Sequence, residues 1–260
     1  MEFILLSLLG LSVGIFGTLV GIGGGLILLP IFIMFMTPST FASAPQIVGT
    51  SLFVVFLNAV SGTLAYIKQK RVFFNAAIPF ALATLPGAFF GSYIADSFNG
   101  QTLNLSFGSF LILMSGIMYW NSSRKKRTEP NFDPHTFTYH KTIGLVSSMG
   151  VGFLSSIFGI GGGIIHVPLM IYLLHFPTHV ATATSHFVLA VSSFSGVISH
   201  AILQHIIWMP AISIGTGAII GAQIGAQISK KTKPKIILVL LSCALFALGL
   251  RLILLGTNVQ

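Results

Sequence analysis

The run Gly-Ile-Gly-Gly-Gly occurs twice in this chain, at residues 21–25 and 159–163. Each copy interrupts a long apolar stretch, and each is followed at the same distance by a proline, Pro30 and Pro168. Glycine costs roughly 1 kcal/mol per residue in a helix interior relative to alanine, so a triple glycine marks a helix break. In hydrocarbon every unpaired backbone group costs several kcal/mol, and a break survives only where it is buried in protein or lines a cavity. The duplicated run therefore predicts two broken helices whose breaks form the walls of one polar site near the middle of a membrane.

Composition supplies the membrane. Of the 260 residues 54% are hydrophobic and only 7% charged, with a mean hydropathy of +0.94, far outside the soluble globular range. The apolar runs are continuous rather than alternating, which implies helices and not a barrel. The expected fold is an all-α polytopic membrane protein with segments near 3–36, 45–67, 73–95, 103–120, 141–176, 180–203, 207–228 and 236–255. The net charge of +9 comes from cations in three short clusters between those runs. They are Lys68, Lys70 and Arg71; Arg124 to Arg127 with Lys141; and Lys230, Lys231, Lys233 and Lys235. This is the positive-inside pattern of cytoplasmic loops, and it argues against a nucleic-acid partner in favour of the lipid bilayer. The one cysteine, Cys243, has no internal disulfide partner and is expected to pack. The start, Met1-Glu2-Phe3, lacks a basic region, so a cleaved signal peptide is not expected.

The halves repeat. Residues 14–30 align with 152–168 at an offset of 138. Beyond them Thr50-Ser51 aligns with Thr184-Ser185, Ser61-Gly62 with Ser195-Gly196, and Gly87 and Gly91 with Gly221 and Gly225, all at an offset of 134. The chain divides into a first transmembrane repeat (1–121), a basic cytoplasmic linker (122–140) and a second repeat (141–260). Charge suggests the relation between them. If each broken segment goes in and comes back, all three basic clusters share the cytoplasmic side, the N-terminus lies outside and the repeats are inverted. If each broken segment crosses once, the repeats are parallel and one basic loop is misplaced.

After each break a short helix restarts, at about 26–30 and 164–168, with its proline in a position where the missing N–H is tolerated. A helix start inside a membrane presents free N–H donors and a partial positive charge, suited to a small anionic substrate. Gly21, Gly23, Gly24 and Gly25, with Gly159, Gly161, Gly162 and Gly163, are the candidate contacts, since glycine lets backbone approach a ligand. Thr50, Ser51, Thr184 and Ser185 add hydroxyls at matched positions, although membrane hydroxyls often bond back to their own or a neighbouring helix. Asn58 and Gln223 suit interhelical hydrogen bonds better than ligand contacts. His166 and His186 replace Leu28 and Leu52 of the first half and could add charge or carry a proton beside the site. His175 and His179 are separated by Pro177, so a helical metal pair is doubtful. The four acidic residues, Glu2, Asp96, Glu129 and Asp133, lie at the terminus, at a segment end or in the linker. Cation transport is disfavoured, because it calls for a carboxylate within the membrane. No metal or cofactor is expected.

A glycine-rich break with its proline, a Thr-Ser pair heading the next helix, a Ser-Gly and the basic turn Lys70-Arg71, largely repeated in the second half, resembles the TauE/SafE sulfite exporter family. That family is also known as the toluene sulfonate uptake permeases. The resemblance covers residues 3–255. It implies a multi-pass permease of the bacterial inner membrane that moves sulfur-containing anions such as sulfite or sulfonates, with export the favoured direction. The sequence departs from an even repeat at His186, where the first half has Leu52, and at Gln204-His205, where the basic turn is missing. Two other classes stay open: a non-transporting membrane subunit or assembly factor whose breaks only pack helices, and an intramembrane enzyme. The latter needs a nucleophile–base pair that no Ser–His spacing here picks out. Homo-oligomerisation is compatible with the sequence without being specified by it.

Overall fold

A computed structural model describes residues 2–36, 40–95, 100–124, 133–134, 136–158 and 161–257. Among the described residues the structure is all helical. The first apolar run folds as α1 (Glu2–Val20) and α2 (Gly25–Ile31), the latter running on into a π-helical stretch, Phe32–Met36. Three long helices follow: α3 (Ala44–Lys68), α4 (Phe74–Ala95) and α5 (Gly100–Arg124). The second half gives α6 (Lys141–Phe158), α7 (Gly163–Tyr172), α8 (Thr178–Ile202), α9 (Trp208–Lys231) and α10 (Pro234–Thr257). Six of the described helices, α1, α3, α4, α6, α8 and α9, contain windows long and apolar enough to cross a membrane, and shorter apolar helices lie within α5, α7 and α10. Their outer faces carry large exposed apolar side chains such as Phe89, Phe90, Ile202 and Leu254, as expected where the surrounding medium is lipid.

Helix packing follows the small residues. Against lipid there is little hydrophobic gain in bringing helices together, so close approach at glycine supplies the attraction. Along α1 and α9, Gly14 faces Ala218 while Gly221 and Gly225 face Leu11 and Ile15. A Cβ on Gly14 would stand 2.6 Å from the Ala218 carbonyl oxygen, which leaves no room for one. Gly87, Gly91 and Gly152 make the same seam between α4 and α6, against Met149, Phe153 and Thr84. In both seams residue numbers rise together, so the paired helices run parallel. Helices α3 and α9 are parallel too, with Thr50 beside Ile207 and Gln69 beside Ala226.

Two other pairs run antiparallel. On α3 and α8, Leu52 meets Gly196 while Gly62 meets His186. On α5 and α10, Gly108 packs on Gly249, and the Ser115 hydroxyl donates to the Ser242 carbonyl at 3.0 Å. Cys243, expected to pack, is instead exposed on α10. The described end of the linker is well packed. Phe137 lies 4.7 Å from the Phe176 ring and Tyr139 5.5 Å from Phe80, and the Tyr139 hydroxyl donates to the Asn75 carbonyl.

Candidate functional site

Both apolar runs break at their glycines. Helix α1 stops because the amides of Gly21, Ile22 and Gly23 all converge on the Gly17 carbonyl, at 2.9, 2.8 and 3.1 Å. Gly21, Gly23 and Gly24 have φ of 86°, 77° and 84°, and Gly161 and Gly162 have 72° and 78°. Side chains rarely adopt this left-handed backbone. Gly24 and Gly162 are the N-caps of α2 and α7, and a glycine has no side chain with which to cap a helix start. After each break the chain turns back on the helix it has left, with Gly24 against Val13 and Gly162 against Val151. Gly159 and Ile160 lie outside the described residues.

The two breaks touch. A Cβ on Gly163 would stand 2.6 Å from the Gly21 carbonyl oxygen and 2.8 Å from the Ile22 Cα. Gly23 and Gly161 both rest on the same two side chains, Val55 and Leu189. These come from near the mid-length of α3 and α8 and occupy matched positions in the repeat. The glycines thus meet deep inside the molecule, but what stands directly over them is apolar, and both breaks are buried.

Polar groups gather at the edges. Beside the first break the Thr18 hydroxyl donates to Asn58 Oδ1 at 2.6 Å, and Asn58 Nδ2 donates to the Gly23 carbonyl at 3.3 Å. His186 Nε2, from α8, lies 3.4 Å from the Thr18 hydroxyl, and the Tyr66 hydroxyl donates to the Thr18 carbonyl at 2.6 Å. All four side chains are fully buried. Beside the second break stands Ser155, packed on Gly162 with its buried hydroxyl unpartnered. The hydroxyls of Ser185 and Ser192 on α8 are also buried and unpartnered. Buried polar groups are normally paired, so an unpaired hydroxyl such as that of Ser155 beside the second break is a place where a polar ligand or water would be held.

The predicted residues are thereby sorted. His186 joins the network at the first break, fitted over Gly62, where a Cβ would stand 2.6 Å from its Nε2. His166 lies elsewhere, 2.9 Å from the Ser148 hydroxyl of α6 and edge-on to Phe80 of α4. Thr50 and Thr184 are occupied with helix starts of the opposite half. The Thr50 hydroxyl accepts from the Ile207 amide at 3.0 Å, and the Thr184 hydroxyl accepts from the Phe73 amide at 3.1 Å. Ser51 is buried near the head of α3. Asn58 bonds between helices, as does Gln223, whose Nε2 donates to the Ser61 carbonyl and hydroxyl. Sequence reasoning misses Thr18, Tyr66 and Ser155. A lone hydroxyl on an apolar helix carries no signal of its own, although Thr18 and Ser155 stand a few residues before their glycine runs. It also misses Val55 and Leu189, which look like lipid-facing residues until their neighbours are known. Among the described residues no cluster of His, Cys, Asp or Glu could hold a metal.

A family model described as Sulfite exporter TauE/SafE matches residues 6–252. The probable membrane transporter protein YunE of Bacillus subtilis is 35% identical, over 97% of this chain and 98% of its own length. A probable membrane transporter protein of Methanocaldococcus jannaschii is 30% identical, over 96% and 95%. One from Xylella fastidiosa is 31% identical, over 86% and 82%. No solved structure is a significant match. The polytopic helical fold and relatives of this kind along nearly the whole length make this a membrane transporter and not an enzyme: the chain belongs to the sulfite exporter TauE/SafE family.

Proposed function

We propose that the chain is a secondary permease of the bacterial inner membrane, exporting a small sulfur-containing anion such as sulfite or an organosulfonate. The observation that carries this reading is the contact of the two glycine breaks. Gly163 sits against Gly21 and Ile22, and Gly23 and Gly161 both meet Val55 and Leu189 near the mid-length of α3 and α8. Uncapped helix starts at Gly24 and Gly162 lie beside the Thr18–Asn58–His186 network. Such a place offers N–H and O–H donors without a carboxylate, which suits an anion. Gly21, Gly23, Gly24, Gly25, Gly161, Gly162 and Gly163 supply backbone, and Thr18, Asn58, Ser155, Ser185 and His186 supply side chains. Gly159 belongs to the same run.

The halves are read as inverted repeats. Their matched helices α3 and α8, and α5 and α10, lie antiparallel to one another, which supports that reading. In this state Val55 and Leu189 close the centre, and transport requires one half to rock so that they part. The test is flux in proteoliposomes holding the purified chain, against sulfite, methanesulfonate, sulfate and acetate. Sulfite or sulfonate moves, and Gly24→Leu and Gly162→Leu each abolish that movement. Unimpaired transport by both variants removes the glycines from the site. Absence of flux, with activity appearing only beside a partner protein, makes the chain a membrane subunit instead.

A further inference from the structure

Arg71, in the turn between α3 and α4, is a cation held without a counter-ion among the described residues. Its Nη1 donates to Gln69 Oε1 at 3.0 Å. Its Nη2 lies 3.0 Å from His179 Nδ1 and donates to the His179 carbonyl and to the Ser229 hydroxyl at 3.2 and 3.3 Å. The guanidinium carbon stands 4.8 Å from the Tyr66 ring centroid, and Nε is buried with no partner. None of these neighbours is a carboxylate, although burial works against the charge. At the matched position of the second half stands His205, beside His200 in place of Tyr66, so this guanidinium belongs to one end of the molecule only.

Because α3 and α9 run parallel, Lys68, Lys230 and Lys231 come to that same end. There they line a cavity of about 490 Å³, open to the surface, together with Gln69, Gln223 and Gln227. Among the described residues no acidic side chain lines it. Gln69 belongs to both places, as a wall of the cavity and as the partner of Arg71. Behind Arg71, Tyr66 leads on to Thr18, and Thr18 to Asn58 at the first break.

We propose that this lysine- and glutamine-lined cavity is a binding vestibule for a small oxyanion, sulfonate or sulfate in shape. Arg71 is the second station, reached when the Gln69 side chain swings aside. A cleft lined by one sign of charge concentrates the opposite ion, and a guanidinium whose Nε–H is unpaired offers such an anion a charged donor. The passage from Arg71 to the breaks rests on the permease reading above. The vestibule itself does not.

The experiment uses Gln227→Cys in a Cys243→Ala background, with the full chain in neutral phosphatidylcholine nanodiscs. Its thiol is labelled with methanethiosulfonates bearing either a sulfonate or a trimethylammonium group. Each rate is taken relative to that reagent's rate with a small free thiol, and on that scale the anionic reagent reacts on the order of tenfold faster than the cationic one. Adding K68Q, K230Q and K231Q brings the ratio towards one, and methanesulfonate slows the labelling. Equal rates for the two reagents, or a ratio indifferent to the lysines, overturn the vestibule. Protection that needs phosphatidylglycerol and is not given by methanesulfonate overturns it too, and assigns the cavity to a lipid headgroup. For the second station, R71Q lowers methanesulfonate flux at least tenfold and leaves the labelling ratio intact, whereas R71K, which keeps the charge but not the Nε–H or the full set of guanidinium bonds, restores only part of the flux. Undiminished flux in a folded R71Q protein removes Arg71 from the path. Lack of flux in the unmodified chain, with charge-selective labelling preserved, counts against the permease reading and not against the vestibule.

Discussion

His186 and Leu52 occupy matched positions in the repeat and behave alike in packing, each standing over a glycine of the opposite half. His186 rests on Gly62 and Leu52 on Gly196. The difference between them is chemical: His186 can hydrogen-bond to Thr18, and Leu52 cannot. Since this architecture already accepts leucine over glycine, His186→Leu should fold. Its unfolding temperature in detergent should change by only a few degrees, given that a single neutral hydrogen bond is worth about 1 kcal/mol. Anion flux should fall about fivefold, the equivalent of that same interaction. Flux equal to that of the unmodified chain would reduce His186 to a packing residue. The Leu-to-His exchange is legible in the sequence by aligning the halves. That each side chain sits on the other half's glycine is not, because the contact joins residues more than a hundred positions apart.

At the scale of elements, Thr50 and Thr184 carry the clearest lesson. They stand out in the sequence as paired hydroxyls suited to a ligand, and the structure spends them on the first amides of α9 and α4. A helix start has four N–H groups without intrahelical partners, and in a membrane water cannot satisfy them. Replacing either threonine by valine keeps the shape and strands the amide it serves, at a cost of about 1–3 kcal/mol, larger for the buried Phe73 amide than for the part-buried Ile207 amide. Thr50→Val and Thr184→Val should each lower the unfolding temperature, measured in the same detergent, and leave the KM for the transported anion unaltered. A rise in KM without loss of stability would return the threonines to the substrate. The glycine seams of α1 with α9 and α4 with α6 are legible as Gly87, Gly91, Gly221 and Gly225, but their partners across the seam are not.

For the whole molecule, the parallel course of α3 and α9 places Lys68, Arg71, Lys230 and Lys231 at one end, while Gln204 and His205 lie at the end of α8, where α9 begins. The proposed inverted arrangement makes the basic end cytoplasmic. In a Cys243→Ala background, Gln204→Cys should then react with a membrane-impermeant maleimide added to intact cells. Lys233→Cys should react only after the membrane is opened. The reverse pattern, with Lys233→Cys labelled in intact cells and Gln204→Cys protected, would make the halves parallel and would also undo the charge argument.

The glycine runs, their repetition and the distribution of charge determine by themselves that this chain is helical, lies in a membrane, and breaks two of its helices. Those are consequences of local backbone cost and of water's absence, and each can be read from a short stretch. Only the tertiary structure decides that the breaks touch, that Val55 and Leu189 close over them, and that Thr18, Asn58 and His186 gather at one edge. The reason is that an apolar or hydroxyl side chain on an apolar helix looks the same whether it meets lipid, another helix or a ligand, until packing chooses its neighbour.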